Sequence, residues 1–156
     1  MDSIYVENED DITSTINFYE EKIHSNSDNI NDFINLSFIY WAVASGEIVV
    51  NNELSLIGYH KYNKILDKGL IVYPNSRELH FWKKYFPNRL SGDVFSFNDC
   101  NRIINDFKDE NEENNLVPFF FLNFFDQIKY ENKINLLRKI CLKKLTLKNK
   151  YILNYL

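Results

Sequence analysis

Punctuation is scarce in this sequence: its 156 residues hold four glycines and three prolines. A sandwich or barrel of short strands needs a turn about every ten residues, so the scarcity argues against those architectures and favours fewer, longer elements. Cysteine is rarer still. Cys100 and Cys141 stand alone, with no CxxC spacing and no neighbouring histidine. That suggests neither a disulfide framework nor a zinc site, and leaves reduced, partly buried thiols. Long apolar runs are missing too. The most apolar stretch, LVPFFFLNFF at 116–125, is far short of the roughly 20 residues that cross a bilayer. The start, MDSIYVENEDD, has neither the basic region nor the apolar stretch of a secretory leader, so a cytoplasmic location and no membrane partner are expected.

Catalytic signatures are the next absence. The glycines are dispersed singly, so none belongs to a phosphate-cradling loop, and GxSxG, HExxH and DxDxDG patterns do not occur. His24, His60 and His80 lie far apart. His80, near Trp82, reads as a surface or hydrogen-bonded structural imidazole, because no partner that would shift its pKa is in view. The pairs Asp10 with Asp11 and Glu20 with Glu21 read as solvated faces, since adjacent residues on a helix point apart. The expectation is a protein without catalytic residues, cofactor or metal.

Aromatic and branched apolar side chains are what the chain has in quantity. Thirteen Phe and ten Tyr, within 45% hydrophobic residues, offset the entropy of ordering, and the length suits one domain around one core. Apolar residues recur at spacings of three and four. Ile12, Ile16, Tyr19 and Ile23 mark a first helix, behind an acidic EDD that suits a helix N-terminus. In INDFINLSFIYWAVA at 30–44, two stripes (Ile30, Ile34, Ser37, Trp41 and Phe33, Leu36, Tyr40, Val43) predict a central, buried helix. GEIVVNNE at 46–53 reads as a loop with Gly46 as C-cap. A third helix, 53–72, carries Gly58, Tyr62, Leu66, Gly69 and Tyr73 in register. Two glycines on its buried stripe imply a closely packed neighbour.

Pro74 ends that helix, and the next begins at NSRE, with Asn75 (and Glu78 as its box partner) or Ser76 as cap. Its inner stripe is Leu79, Trp82 and Phe86, and Pro87 is expected to stop it before a loop at 88–96. Ser96 and Asp99 cap a fifth helix with the stripe Phe97, Cys100, Ile104 and Phe107. Asn115 then caps a helix with Val117, Phe121, Phe124 and Ile128 inward. Ile134, Leu137, Cys141 and Leu145 share one face of a later helix, and a short last one holds Tyr151 and Ile152. Trp41 is expected in the core, while Tyr40, Tyr85 and Phe81 lie on different faces, leaving room for one to be exposed. The fold class expected is all-α: a single domain of seven or eight helices packed as antiparallel helical hairpins.

Charge is unevenly placed. Residues 127–156 hold eight basic residues and one acid, a net +7 against −11 for residues 1–126, within a total of −4. The densest acidic patch is Asp106, Asp109, Glu110, Glu112 and Glu113, with Asp99 upstream. It reads either as a solvated helix end or as a partner-binding surface that steers a basic protein. The basic end, with its lysines interrupted by core positions, reads as an amphipathic helix rather than a nucleic-acid patch.

Leu66, Gly69 and Pro74 resemble the second helix of a tetratricopeptide repeat, and ELHFWKKYF resembles the opening helix of a following unit. The period is not repeated elsewhere, so the resemblance covers one helical hairpin of about 25 residues. In size, acidity and Asn- and Ile-rich helical character, the chain also resembles the small immunity proteins encoded beside bacterial polymorphic or contact-dependent toxins. That resemblance implies one cognate protein partner, a toxin domain of basic, nuclease type. The alternative is a tetratricopeptide-like adaptor that holds a peptide or partner helix in a groove formed around Tyr62 to Tyr85.

Overall fold

Side-chain caps start most of the helices. Asp11, Asn29, Asn51, Ser76, Ser96 and Thr146 each accept a hydrogen bond from a backbone N–H of the turn that follows, which satisfies groups that a bare helix end leaves orphaned. The computed structural model describes residues 7–26 and 29–156, so the opening six residues read for a leader lie outside it. Among the described residues there are eight α-helices and no strand. They are α1 (Ile12–His24), α2 (Ile30–Ser45), α3 (Asn52–Val72), α4 (Arg77–Ser91), α5 (Phe97–Asp106), α6 (Phe119–Leu122), α7 (Glu131–Lys143) and α8 (Leu147–Leu153), with single 3₁₀ turns at Glu9–Asp11 and Glu112–Asn115. The chain is all-α. No helix among the described residues is long and apolar enough to cross a membrane.

Helix α2 is the axis of the core: every residue from 32 to 43 is buried. Helix α3 runs antiparallel to it, with Gly58 against Tyr40 and Val43 and Gly69 against Phe33. A Cβ at Gly58 would lie 2.3 Å from the Tyr40 carbonyl oxygen and 2.6 Å from Val43 Cγ2, so glycine is what lets the two backbones approach. Helix α4 in turn runs antiparallel to α3: Gly69 faces Leu79, Lys83 pairs with Asp67 at 2.5 Å, and Tyr62 meets the Phe86 ring. Trp41 and Trp82 both stack on Phe86, at 4.8 Å between centroids. Helix α8 closes this cluster through Tyr151, whose ring meets Phe38, Trp41 and Tyr85. The two ends of the chain are tied together by buried Glu7, which accepts from Tyr19 Oη (2.5 Å) and from the Leu147 N–H.

Four expectations are corrected. Pro87 does not stop α4, which continues to Ser91 and ends at Gly92 in the left-handed conformation (φ 74°). Burying Trp82, Tyr85 and Phe86, with Leu90 packed on the core a turn later, outweighs the N–H that proline lacks. Asn115 caps no helix. The chain around it winds with bonds from residue i to i−3, Phe119 to Leu116, Phe120 to Val117 and Phe121 to Pro118, and α6 is a single turn. The tighter winding re-aims the side chains: Phe120, Phe121 and Leu122 are buried, whereas Phe124 (51% exposed) and Ile128 (89% exposed) face outward. Leu145 is exposed because α7 ends two residues before it. None of Tyr40, Tyr85 and Phe81 is exposed; all three are in the core.

Candidate functional site

Arg77 builds the acidic segment into the fold. At the first turn of α4, its Nε donates to the Phe107 carbonyl (2.8 Å), one terminal nitrogen to Ile104 (2.9 Å) and the other to Asn115 (3.0 Å). One planar guanidinium thus gathers the end of α5 and the 3₁₀ turn, which a lysine could not do. Burial lowers its pKa, against the opposing pull of Asp109 and Glu112. His80 adds a second tie: its ring stacks on Phe107 at 3.6 Å, and its Nε2 donates to the Pro74 carbonyl at 2.8 Å. This is a structural histidine.

Asp109 does not lie on the acidic surface. It is 6% exposed, and its carboxylate accepts the Glu78 N–H at 3.2 Å, so it caps α4 from across the fold alongside Ser76. Burial raises its pKa, while the Ser76 hydroxyl and the N–H groups of Glu78 and Arg77 pull the other way. Asn115 holds the same strand of chain by accepting from the Asp109 N–H (2.7 Å) and donating to its carbonyl (3.1 Å).

Asp99 is also employed locally: it completes the α5 capping box by accepting from Ser96 N–H at 2.9 Å. That backbone bond, with the Ser96 hydroxyl, lowers its pKa.

Asp106, Glu110, Glu112 and Glu113 are exposed. Lys108 pairs with Glu112 at 3.2 Å and lowers its pKa by hydrogen bond and charge. Among the described residues, Asp106, Glu110 and Glu113 form no ion pair.

The anchored segment forms one wall of a cleft of about 460 Å³. The opposite walls are the N-terminus of α2, at Asn29 to Asn31, and the α3–α4 turn, at Val72 to Ser76. Asn114 contributes to the lining. It is 6% exposed, and its Nδ2, itself shielded from solvent, has no hydrogen-bond partner among the described residues.

A second titratable cluster is enclosed in the core. Glu78 on α4 pairs with Lys148 on α8 at 2.7 Å and accepts from Trp82 Nε1 at 3.1 Å, leaving its other oxygen without a partner among the described residues. Burial raises the Glu78 pKa despite Lys148 and Trp82. Burial also pushes the Cys141 thiol up to about 11 and Cys100 up to about 12, so both are poor nucleophiles. The residues of the expected hairpin groove are in the core as well: Tyr62, Phe81, Trp82 and Tyr85 are buried, and the exposed large apolars between 64 and 86 are Ile71 and Val72.

Sequence reasoning found the acidic segment but not the cleft beside it. Nothing in the sequence paired residues 29–31 with 108–114, which meet only through tertiary packing. No family model, curated protein or solved structure matches the chain.

Proposed function

We propose that this chain is a non-catalytic, cytoplasmic protein-binding protein, an immunity protein that binds and neutralises one cognate toxin domain of basic, nuclease type. The observation that carries the reading is the grouping of Asp106, Glu110, Glu112 and Glu113 on exposed positions of a segment tied down by Arg77, Asp109 and Asn115. A pre-ordered segment loses less freedom on binding, and clustered charge of one sign steers a partner of the other. Nucleases are basic where they hold phosphates, so an acidic surface laid over that site inhibits without chemistry.

The test is co-expression with the C-terminal domain of the protein encoded next to this chain. Rescue of growth and a stoichiometric complex are expected. Reversing Glu110, Glu112 and Glu113 to lysine should weaken that complex by about tenfold or more, with a smaller loss at high salt. Unchanged affinity would remove the acidic segment as the contact.

A further inference from the structure

We infer that the turn between α6 and α7, together with the solvent face of α7, is a docking surface for an anionic lipid bilayer, laid against its headgroups without crossing it. The inference shares no residue with the acidic segment and does not depend on the reading of that segment.

The first observation is apolar area outside the core. Phe124, Phe125 and Ile128 are exposed close together on the turn, and Leu136 and Leu142 follow on α7. Single exposed apolar residues are ordinary, but a concentration of large ones marks a contact. The inward stripe of α7 is Ile134, Leu137 and Cys141, so Leu136 and Leu142 are not what the core needs. The turn is held in place. Phe124 rests edge-on against Tyr155 at 5.6 Å and Phe125 against Phe97 at 5.3 Å, while the Asp126 carboxylate accepts the Lys129 N–H at 3.0 Å. Ile128, 89% exposed, stands proud of the turn, a shape that enters a partner rather than receives one.

The second observation is charge. Lys129, Lys133, Lys139, Lys143 and Lys144 are exposed, and among the described residues none of them forms an ion pair. Residues 124–145 hold six basic residues against two acids, Glu131 and the Asp126 that is occupied in the turn. On α5, reached through Phe97, Asp99 is answered by its capping box and by Arg102 at 3.8 Å. The surface is cationic where it is apolar. Its complement is apolar beneath an anionic face, which is the profile of a bilayer containing acidic phospholipid. Lysine stems lie along the apolar area with their heads among the phosphates, as Lys133 already lies over the Phe119 ring at 5.5 Å. A nucleic acid would answer the lysines, but Ile128, Leu136 and Leu142 offer its bases no flat ring to stack on. The want of a spanning helix bears on crossing a bilayer, not on lying against one.

The experiment is co-sedimentation of the full chain with vesicles of equal parts phosphatidylcholine and phosphatidylglycerol, with pure phosphatidylcholine vesicles as the control. Fluorescence anisotropy of labelled oligothymidylate and of labelled polyglutamate supplies the other arms. The chain is expected to sediment with the anionic vesicles, less so at high salt, and not with the neutral ones. Lys139→Gln/Lys143→Gln should weaken that binding by about tenfold or more, and Ile128→Ser at least severalfold. All three positions are exposed, so circular dichroism should show the fold unchanged. Ile128→Trp adds an exposed indole whose emission should move to the blue with anionic vesicles, which adsorption by charge alone would not produce.

Sedimentation no better with anionic than with neutral vesicles, full binding by either weakened variant, an unmoved Ile128→Trp emission, or equal or tighter binding of the oligothymidylate or the polyglutamate would overturn the inference. None of these outcomes touches the immunity reading, which fails on its own if co-expression does not rescue growth.

Discussion

Glu78 and Lys148 are the residues whose replacement should cost most. Each is buried and answers the other at 2.7 Å, so truncating one leaves an uncompensated charge in the core. Lys148→Ala is expected to lose about 3–5 kcal/mol in chemical denaturation. The double variant Glu78→Met/Lys148→Met should lose less than Lys148→Ala, because the charge leaves with its partner. An equal or larger loss in the double variant would mean that the pair itself stabilises the fold. Asp109 offers a test by pH. Its folded pKa is raised by burial, so above about pH 4, the ordinary aspartate range, the folded state holds this proton more tightly than the unfolded chain does. The stability it contributes is present at low pH and is lost as pH rises through the raised value. Asp109→Asn keeps an acceptor for the Glu78 N–H and cannot titrate, so wild type should lose ground to it from acid towards neutral pH. Asp99 and Glu112, with lowered values, act in the opposite sense, stabilising above the ordinary carboxylate range and ceasing to do so as pH falls through their depressed values.

Helices were legible in the sequence where local signals and burial agree. Ser96 with Asp99 makes the expected capping box, Gly46 takes the left-handed cap (φ 85°), and the two stripes of α2 are interior apart from half-buried Ile30 at its start. Gly58 was readable as a close-approach residue, and its cost is testable. Gly58→Ala gains about 1 kcal/mol of helix propensity, but the new methyl would sit 2.3 Å from a backbone carbonyl that cannot swing aside. The net effect expected in thermal denaturation is a loss of about 2 kcal/mol, whereas Gly69→Ala, at 3.1 Å from the Leu79 and Phe33 side chains, should be milder. The misreadings share a cause in packing. Pro87 looked like a stop because the helix signal is local, while the burial that carries α4 past it is not. Residues 115–128 looked like a regular helix because an aromatic run fits the α period as well as the tighter winding the chain adopts, and only the second sends Phe124 and Ile128 outward. Ile103, buried on α5, was passed over for Ile104 by one position on a helix whose neighbours were unknown.

For the molecule as a whole, charge separation was visible in the sequence but its division of labour was not. Six acids were grouped by proximity along the chain. Folding removes Asp109 to the interior, occupies Asp99 in a cap, and leaves four on the surface beside a cleft whose other walls come from residues 29–31 and 72–76, far upstream. Lys148, counted among the basic residues at the other end, is likewise withdrawn to answer Glu78. Both tryptophans lie in the same aromatic cluster, each stacked on one ring, Phe86, and fully enclosed. The protein therefore carries an optical gauge of its own integrity. Its tryptophan emission should be blue-shifted in the native state and move to the red in one step as the core opens, so a variant that loses binding while staying folded can be sorted in one cuvette from a variant that has simply come apart.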